Sequence, residues 1–248
     1  MSAHDPIAAC ARLIAESRSI GVLTGAGIST NAGIPDFRGP RGLYVTKRYD
    51  PDKVFDIDHF YRDQKPFYEF ARDFVGLETS IQPTPAHRFL AGLEQDGKSV
   101  GIVTQNIDAL HQRAGSGQVY EMHGSFQNSY CLDCGERFAF DHLQKKIAEE
   151  LVPHCPCGGV IKPDIVFFGE GVKYLTEAME LAQKADLFFV IGTSCVVYPA
   201  AMIPSYARGR IVIINKHPVT LAAGDVALSV EEDADVFLTE VKKSLEEF

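Results

Sequence analysis

Two tight cysteine pairs carry the plainest chemistry in the sequence. They are Cys131-Leu132-Asp133-Cys134 and, after residues 135–154, Cys155-Pro156-Cys157-Gly158-Gly159. Four thiolates close a tetrahedral shell around zinc and leave no position for a reacting ligand, so the pattern predicts one structural ion on Cys131, Cys134, Cys155 and Cys157. His154 competes with Cys155 as a ligand, because its spacing to Cys157 is the more usual one. The four-thiolate set is the simpler closed site, and the choice stays open at this point. Cys10 and Cys195 stand singly in apolar surroundings and read as small core residues.

A second signal is the turn Thr24-Gly25-Ala26-Gly27-Ile28-Ser29, which follows a short apolar run from Ser19. Glycines after a strand let a backbone approach a pyrophosphate and offer it amide hydrogens. A lone Gly-x-Gly also marks many ordinary turns. The dehydrogenase fingerprint fails here, since Thr30 holds the third glycine position and the next glycine is Gly33. No strand-end acid follows about 20 residues later; the chain instead reads Pro35-Asp36-Phe37-Arg38-Gly39. The expected dinucleotide therefore binds outside the ordinary hydride-transfer mode.

Three further groups sit where such a ligand would be handled. Gln105-Asn106-Ile107-Asp108 follows the buried run Val100–Thr104, and its amides and carboxylate suit a carboxamide or ribose. The competing reading is a helix cap by Asn106 or Asp108. Gly192-Thr193-Ser194 follows another apolar run, with hydroxyls for phosphate, ribose or a cap. His123, in Val119-Tyr120-Glu121-Met122-His123-Gly124, falls between the nucleotide loop and the cysteine insert. A lone histidine is usually structural, but an imidazole at a seam between domains has the right pKa for a general base near neutrality.

The elements that would position these residues alternate along the chain. Asp5-Pro6 opens a helix through Ile14 as N-cap and first-turn proline. Strands are expected at 19–24, 100–104, 165–168, 187–191, 211–215 and 226–230, and helices at 85–93, 140–151, 174–184, 199–207 and 233–245. Near-continuous apolar strands between helices imply an α/β fold: a Rossmann-like, doubly wound parallel sheet covered on both faces. Residues 41–82 are crowded with aromatic side chains and read as short helices and loops. The expected division is a nucleotide-binding domain of 1–40, 83–125 and 163–248. A small inserted domain combines the helical insert 41–82 with the zinc-binding insert 126–162.

In this order, Gly25-Ala26-Gly27-Ile28-Ser29, Pro35-Asp36-Phe37-Arg38-Gly39, Thr104-Gln105-Asn106-Ile107-Asp108, His123-Gly124, Lys162-Pro163-Asp164-Ile165-Val166-Phe167-Phe168-Gly169-Glu170 and Gly192-Thr193-Ser194 resemble the motifs of sirtuins. The resemblance spans residues 5 to 245, and the chain looks like a compact bacterial or archaeal member. It implies an NAD-dependent protein-lysine deacetylase. In that reaction the acetyl-lysine oxygen attacks C1′ of the nicotinamide ribose and nicotinamide leaves. His123 then acts as base on the ribose hydroxyls so that the 2′-hydroxyl attacks the imidate carbon, and water completes the release of free lysine and O-acetyl-ADP-ribose. The resemblance assigns Gly25, Ala26, Gly27, Thr30, Phe37 and Arg38 to the cofactor loop, with Phe37 shielding the ribose. Asn106, Ile107 and Asp108 form the nicotinamide pocket, and Gln105 touches ribose. The resemblance also implies that Gly192, Thr193 and Ser194 hold phosphate or adenosine ribose, that Asn215 holds adenosine ribose with Lys216 beside it in the cofactor site, and that Ala234 touches adenine. Val166, Phe168 and Gly169 pair with the substrate backbone and wall the acyl-lysine tunnel. Relatives that take acidic acyl groups carry a tyrosine followed three residues later by arginine. Here Tyr68 is followed at that distance by Ala71, with Arg72 one position on and about 100° around a helix. Neutral acyl groups, acetyl above all, are therefore expected.

Composition bounds the alternatives. The chain has 248 residues, 46% of them hydrophobic and 23% charged, with net charge −9. An acidic surface argues against broad nucleic-acid binding. No apolar run approaches the roughly 18 residues of a membrane span, and the first residues lack a signal-peptide pattern. The expectation is a cytoplasmic, monomeric enzyme acting on acetylated protein, with reduced thiols. Its rivals are protein mono-ADP-ribosylation, a non-catalytic sensor of NAD or acetyl-lysine, and a nicotinamide-dependent dehydrogenase. An intact His123, Asn106 and Asp108 argue against the sensor, and the failed fingerprint argues against the dehydrogenase.

Overall fold

The computed structural model describes residues 5–36, 49–78 and 80–247. Six strands form a wholly parallel sheet: β1 (Ser19–Thr24), β2 (Ser99–Thr104), β3 (Val119–Glu121), β7 (Leu187–Ile191), β8 (Arg210–Asn215) and β9 (Asp225–Glu231). Their spatial order is β3-β2-β1-β7-β8-β9. The order reverses between β1 and β7, so the connections on the two sides run in opposite directions and leave a crevice at the carboxyl ends.

Side-chain alternation explains why both faces are covered. Ile20, Val22, Ile102, Phe189, Ile191, Val212 and Ile214 point to one face. There they meet α1 (Pro6–Glu16), α5 (Pro85–Gln95) and α9 (Ala234–Glu246). Leu23, Val103, Phe188, Val190, Ile211 and Ile213 point the other way, onto Ala178 and Ala182 of α8 (Leu175–Lys184) and onto the 3₁₀ segment Ala200–Tyr206. Every residue of β7 is buried, which is why its sequence shows no polar alternation. The 3₁₀ segment replaces the helix expected at 199–207, because Pro204 inside it has no N–H to donate.

A smaller antiparallel sheet of β4 (Gly124–Cys131), β5 (Arg137–Ala139) and β6 (Ile161–Ile165) has the order β5-β4-β6. Against it lie α2 (Pro51–Val54), α3 (Ile57–Arg62), α4 (Lys65–Glu78) and α7 (Phe140–Glu149), and the short α6 (Leu110–Ala114) completes the α-helices among the described residues. The core of this lobe is aromatic. Phe67 stacks on Phe126 with centroids 6.4 Å apart, Phe74 on Phe126 at 5.0 Å, and Phe60 meets Phe167 edge-on at 5.1 Å. The strand expected at 165–168 lies instead at Ile161–Ile165. Pro163 and the charges of Lys162 and Asp164 hide it in the sequence, and it is tolerated because β6 is an edge strand.

Candidate active site and metal centre

His123 is one of the two residues between β3, the last strand of the parallel sheet on its side, and β4, the first strand of the small lobe. Its seam position therefore follows directly from topology. The next residue must be glycine: Gly124 has φ +69°, and a Cβ there would lie 1.8 Å from the Asp164 carbonyl. The His123 Nδ1 lies 2.8 Å from the Gln105 carbonyl, which can only accept, so Nδ1 carries the proton and Nε2 keeps its lone pair. Burial holds the imidazole below the ordinary histidine range, partly offset by the Gln105 bond. A neutral, oriented imidazole is the form a general base needs.

The loops at the ends of β1, β2 and β7 lock together around this point. The Gly25 N–H donates to the Ile191 carbonyl (3.1 Å) and the Gly27 N–H to the Gly192 carbonyl (2.8 Å). A Cβ on Gly27 would come within 2.7 Å of Gly192 Cα. The two glycines thus serve backbone-to-backbone packing, and their amides are not the donors that the sequence suggested for a pyrophosphate. The Ala26 N–H between them has no partner among the described residues. Thr30 closes the turn through its hydroxyl, which donates to the Gly27 carbonyl at 3.1 Å.

The Asn106 amide donates to Ser29 Oγ (3.1 Å) and the Gly25 carbonyl (3.2 Å), and Ser29 Oγ donates to Asp108 Oδ2 at 2.6 Å. Asp108 Oδ1 also accepts from the Leu110 N–H at 3.0 Å, so it supports the start of α6 as well. All three polar residues are buried, and Ile107 turns the other way, onto the aromatic core of the lobe. Ser29 was legible only as part of a glycine turn; nothing in its spacing marks it as the link between Asn106 and Asp108. The Gln105 side chain donates to Thr193 Oγ1 at 3.0 Å, tying β2's loop to β7's. Ser194 is exposed beside it.

Farther along the sheet edge, Asn215 donates to the His217 carbonyl (2.8 Å), and Lys216 pairs with Asp233 (2.8 Å), which precedes the buried Ala234. Asn31, another residue that sequence spacing did not single out, donates to Asp233 and Asp235 at 2.7 to 3.1 Å and links this group to the loop after β1. Phe37 and Arg38 lie outside the described residues.

On the lobe side, the Val166 N–H donates to the His123 carbonyl at 2.8 Å. Phe168 departs from its expected role. Its N–H donates to the Phe55 carbonyl (2.7 Å) and its carbonyl accepts from Ile57 N–H (3.1 Å), so both backbone groups are taken by the helical insert. What Phe168 leaves exposed is its half-exposed ring. Gly169 follows at φ +96°, exposed to solvent.

The four cysteine sulfurs all lie within 4.8 Å of one another, with Cys131–Cys157 at 3.5 Å and Cys134–Cys155 at 3.7 Å. Tetrahedral zinc–thiolate geometry places sulfurs about 3.8 Å apart, so this donor set fits one structural zinc ion. His154 turns away to Glu150 (3.2 Å), which leaves Cys155 as the ligand.

Comparison with known proteins agrees with this architecture. The Sir2 family model matches residues 25–199. An NAD-dependent protein deacetylase of Thermotoga maritima is 46% identical over 209 residues, 82% of this chain and 84% of that protein. Another, from Sulfurisphaera tokodaii, is 48% identical over 203 residues, 80% of each. A solved Sir2 variant with a deacetylated p53 peptide and 3′-O-acetyl-ADP-ribose superposes with TM-score 0.87 at 41% identity, over 94% of this chain and 96% of that one. On the match of its loops, seam histidine and cysteine tetrad, and on the extent of these similarities, the chain belongs to the Sir2 family.

Proposed function

We propose that the protein is an NAD-dependent protein-lysine deacetylase that transfers acetyl from lysine to ADP-ribose and releases nicotinamide. The observation that carries this reading is the seam imidazole: His123 holds its proton at Nδ1 against Gln105 and leaves Nε2 free as a base. When bound, NAD supplies a ribose carbon that accepts the amide oxygen as nicotinamide departs. The chain's own residues prepare that event. Asn106, Ser29 and Asp108 form a buried, mutually bonded polar group able to meet a carboxamide. Gln105 and Thr193 keep the β2 and β7 loops at a fixed separation, and beside them Ala26 offers an amide that is unpaired among the described residues. His123 Nε2 removes the hydroxyl proton that must leave the sugar. The acetylated substrate enters along the segment after β6, against Val166, the Phe168 ring and Gly169.

Acetyl and other neutral acyl groups fit better than acidic ones. Tyr68 is buried in the lobe core with its hydroxyl donating to the Ile161 carbonyl. Arg72 donates to the Ile147 carbonyl at 3.0 and 3.2 Å. Neither side chain is aimed at an incoming acyl carboxylate.

His123→Ala is the direct test. Turnover of an acetylated peptide should fall by about 10²- to 10⁴-fold, the range of a lost general base. NAD affinity, measured by calorimetry, should change by no more than about threefold. Wild-type turnover in the variant would reject the assignment.

A further inference from the structure

Lys162 is a charged side chain only 1% exposed, in a segment that no catalytic role has claimed. Its ammonium donates to the Ile165 carbonyl at 2.8 Å and to Glu170 Oε2 at 3.1 Å. It also lies 4.3 Å from the centroid of the Phe167 ring. The same Glu170 oxygen accepts from the Phe167 N–H at 2.8 Å, and the Glu170 N–H donates to the Phe167 carbonyl at 3.0 Å. Four bonds therefore bracket residues 165–170, with the buried Phe167 as the internal anchor. Between the bracketed points stand Val166, Phe168 and Gly169, the residues that face outward.

We propose that the Lys162–Glu170 ion pair is a positioning device that holds the acyl-lysine-binding segment in register with the base; this rests on the deacetylase reading of the site. Several facts favour this over plain structural filling. Lys162 is buried while Glu170 is 27% exposed, and an ammonium that gives up its water for a part-exposed partner adds little net stability over apolar residues of similar shape, which points to another role. The pair is local in sequence and spans only the outward-facing segment. The segment is also joined to the catalytic residue itself, through the Val166 N–H and the His123 carbonyl. Displacing residue 166 would thus alter both the substrate wall and the backbone that carries the imidazole. Among the described residues, neither Lys162 nor Glu170 is hydrogen-bonded to the loops after β1, β2 or β7, so the nucleotide side should be unaffected.

The test compares wild type, E170Q and the double variant K162M/E170Q, each with its zinc, using NAD and an acetylated peptide. E170Q keeps the shape but weakens the charge-assisted bonds, so the peptide KM should rise by about tenfold, with the KM for NAD within about twofold. The double variant removes both charges and leaves none unpaired, so its Tm should recover toward wild type. A positioning role predicts that its peptide KM stays high even so. A pair that serves only structure predicts that KM recovers together with Tm, and that result overturns the proposal, as does an unchanged peptide KM in E170Q. Amide exchange at Phe167 and Glu170 needs no turnover: it should speed up in E170Q, and unchanged protection would also overturn the proposal. Wild-type turnover of the peptide is read separately and tests the deacetylase reading, so the two failures are distinguishable.

Discussion

The His123 imidazole is held neutral by burial, with the Gln105 carbonyl pulling its pKa the other way. The unprotonated ring is the active base, so activity is present above its pKa and lost as pH falls through it. Because that pKa lies below the ordinary value of 6.5, the acid limb of kcat/KM for the peptide should be centred below 6.5. A pH–rate profile checks this, and an acid limb centred at or above 6.5 would count against it. At this scale the sequence was informative about residue types and mute about partners. His123, Asn106 and Asp108 were readable from their places after expected strands. That Gln105 serves His123 through its main-chain carbonyl was not, because any residue type has one. The missed Ser29 and Asn31 act across sequence gaps that only folding closes.

Among the elements, the glycine turn after β1 shows how one motif serves a purpose other than the one its pattern suggests. Gly27 is small because Gly192 lies against it. Gly27→Ala should therefore destabilise the fold by about 1–3 kcal/mol through overpacking, together with weaker NAD binding as the two loops separate. Chemical denaturation and calorimetry read both effects; an Ala variant with wild-type stability would refute the packing account. A second case joins α5 and α6. His87 and His111 lie buried with ring centroids 4.6 Å apart and planes tilted by 56°, and among the described residues His87 Nε2 and His111 Nδ1 lack partners. Burial pushes both well below the usual imidazole range, while Asp108 pulls His87 back in part. The unfolded chain then binds protons below about pH 6.5 that the folded protein resists, so stability is full above that pH and falls as pH drops. Thermal melts from about pH 8 to about pH 5 should show this decline, and a flat profile would contradict it. On the large sheet β1, β2, β7 and β8 were legible because their burial is nearly uniform, whereas the short, half-buried β3 and the largely exposed β9 carry no such signal. β6 was misplaced because an edge strand tolerates the proline and charges that usually exclude one.

For the molecule as a whole, the sheet reverses its strand order at β1, and two chain excursions, one between β1 and β2 and one between β3 and β7, build the lobe beside that crevice. The alternation of apolar runs foretold a parallel sheet with two covered faces; the strand order depends on long-range pairing that no local pattern encodes. The lobe joins its aromatic core to the buried thiols Cys131 and Cys155 in one cluster, so zinc and core hold each other in place. Removing zinc with a chelator should loosen the lobe and abolish deacetylation, while circular dichroism retains the signal of the large sheet and its helices. A metal-free protein that stays fully folded and active would show that the tetrad is dispensable. Among the described residues, no helix is long and apolar enough to cross a membrane.

The most direct measurement is a mass balance on one reaction: NAD and an acetyl-lysine peptide with the zinc-loaded protein, products weighed by mass spectrometry. The account predicts equal amounts of deacetylated peptide, nicotinamide and O-acetyl-ADP-ribose. Free acetate formed without consumption of NAD, or reduced cofactor absorbing in the near ultraviolet, would contradict it.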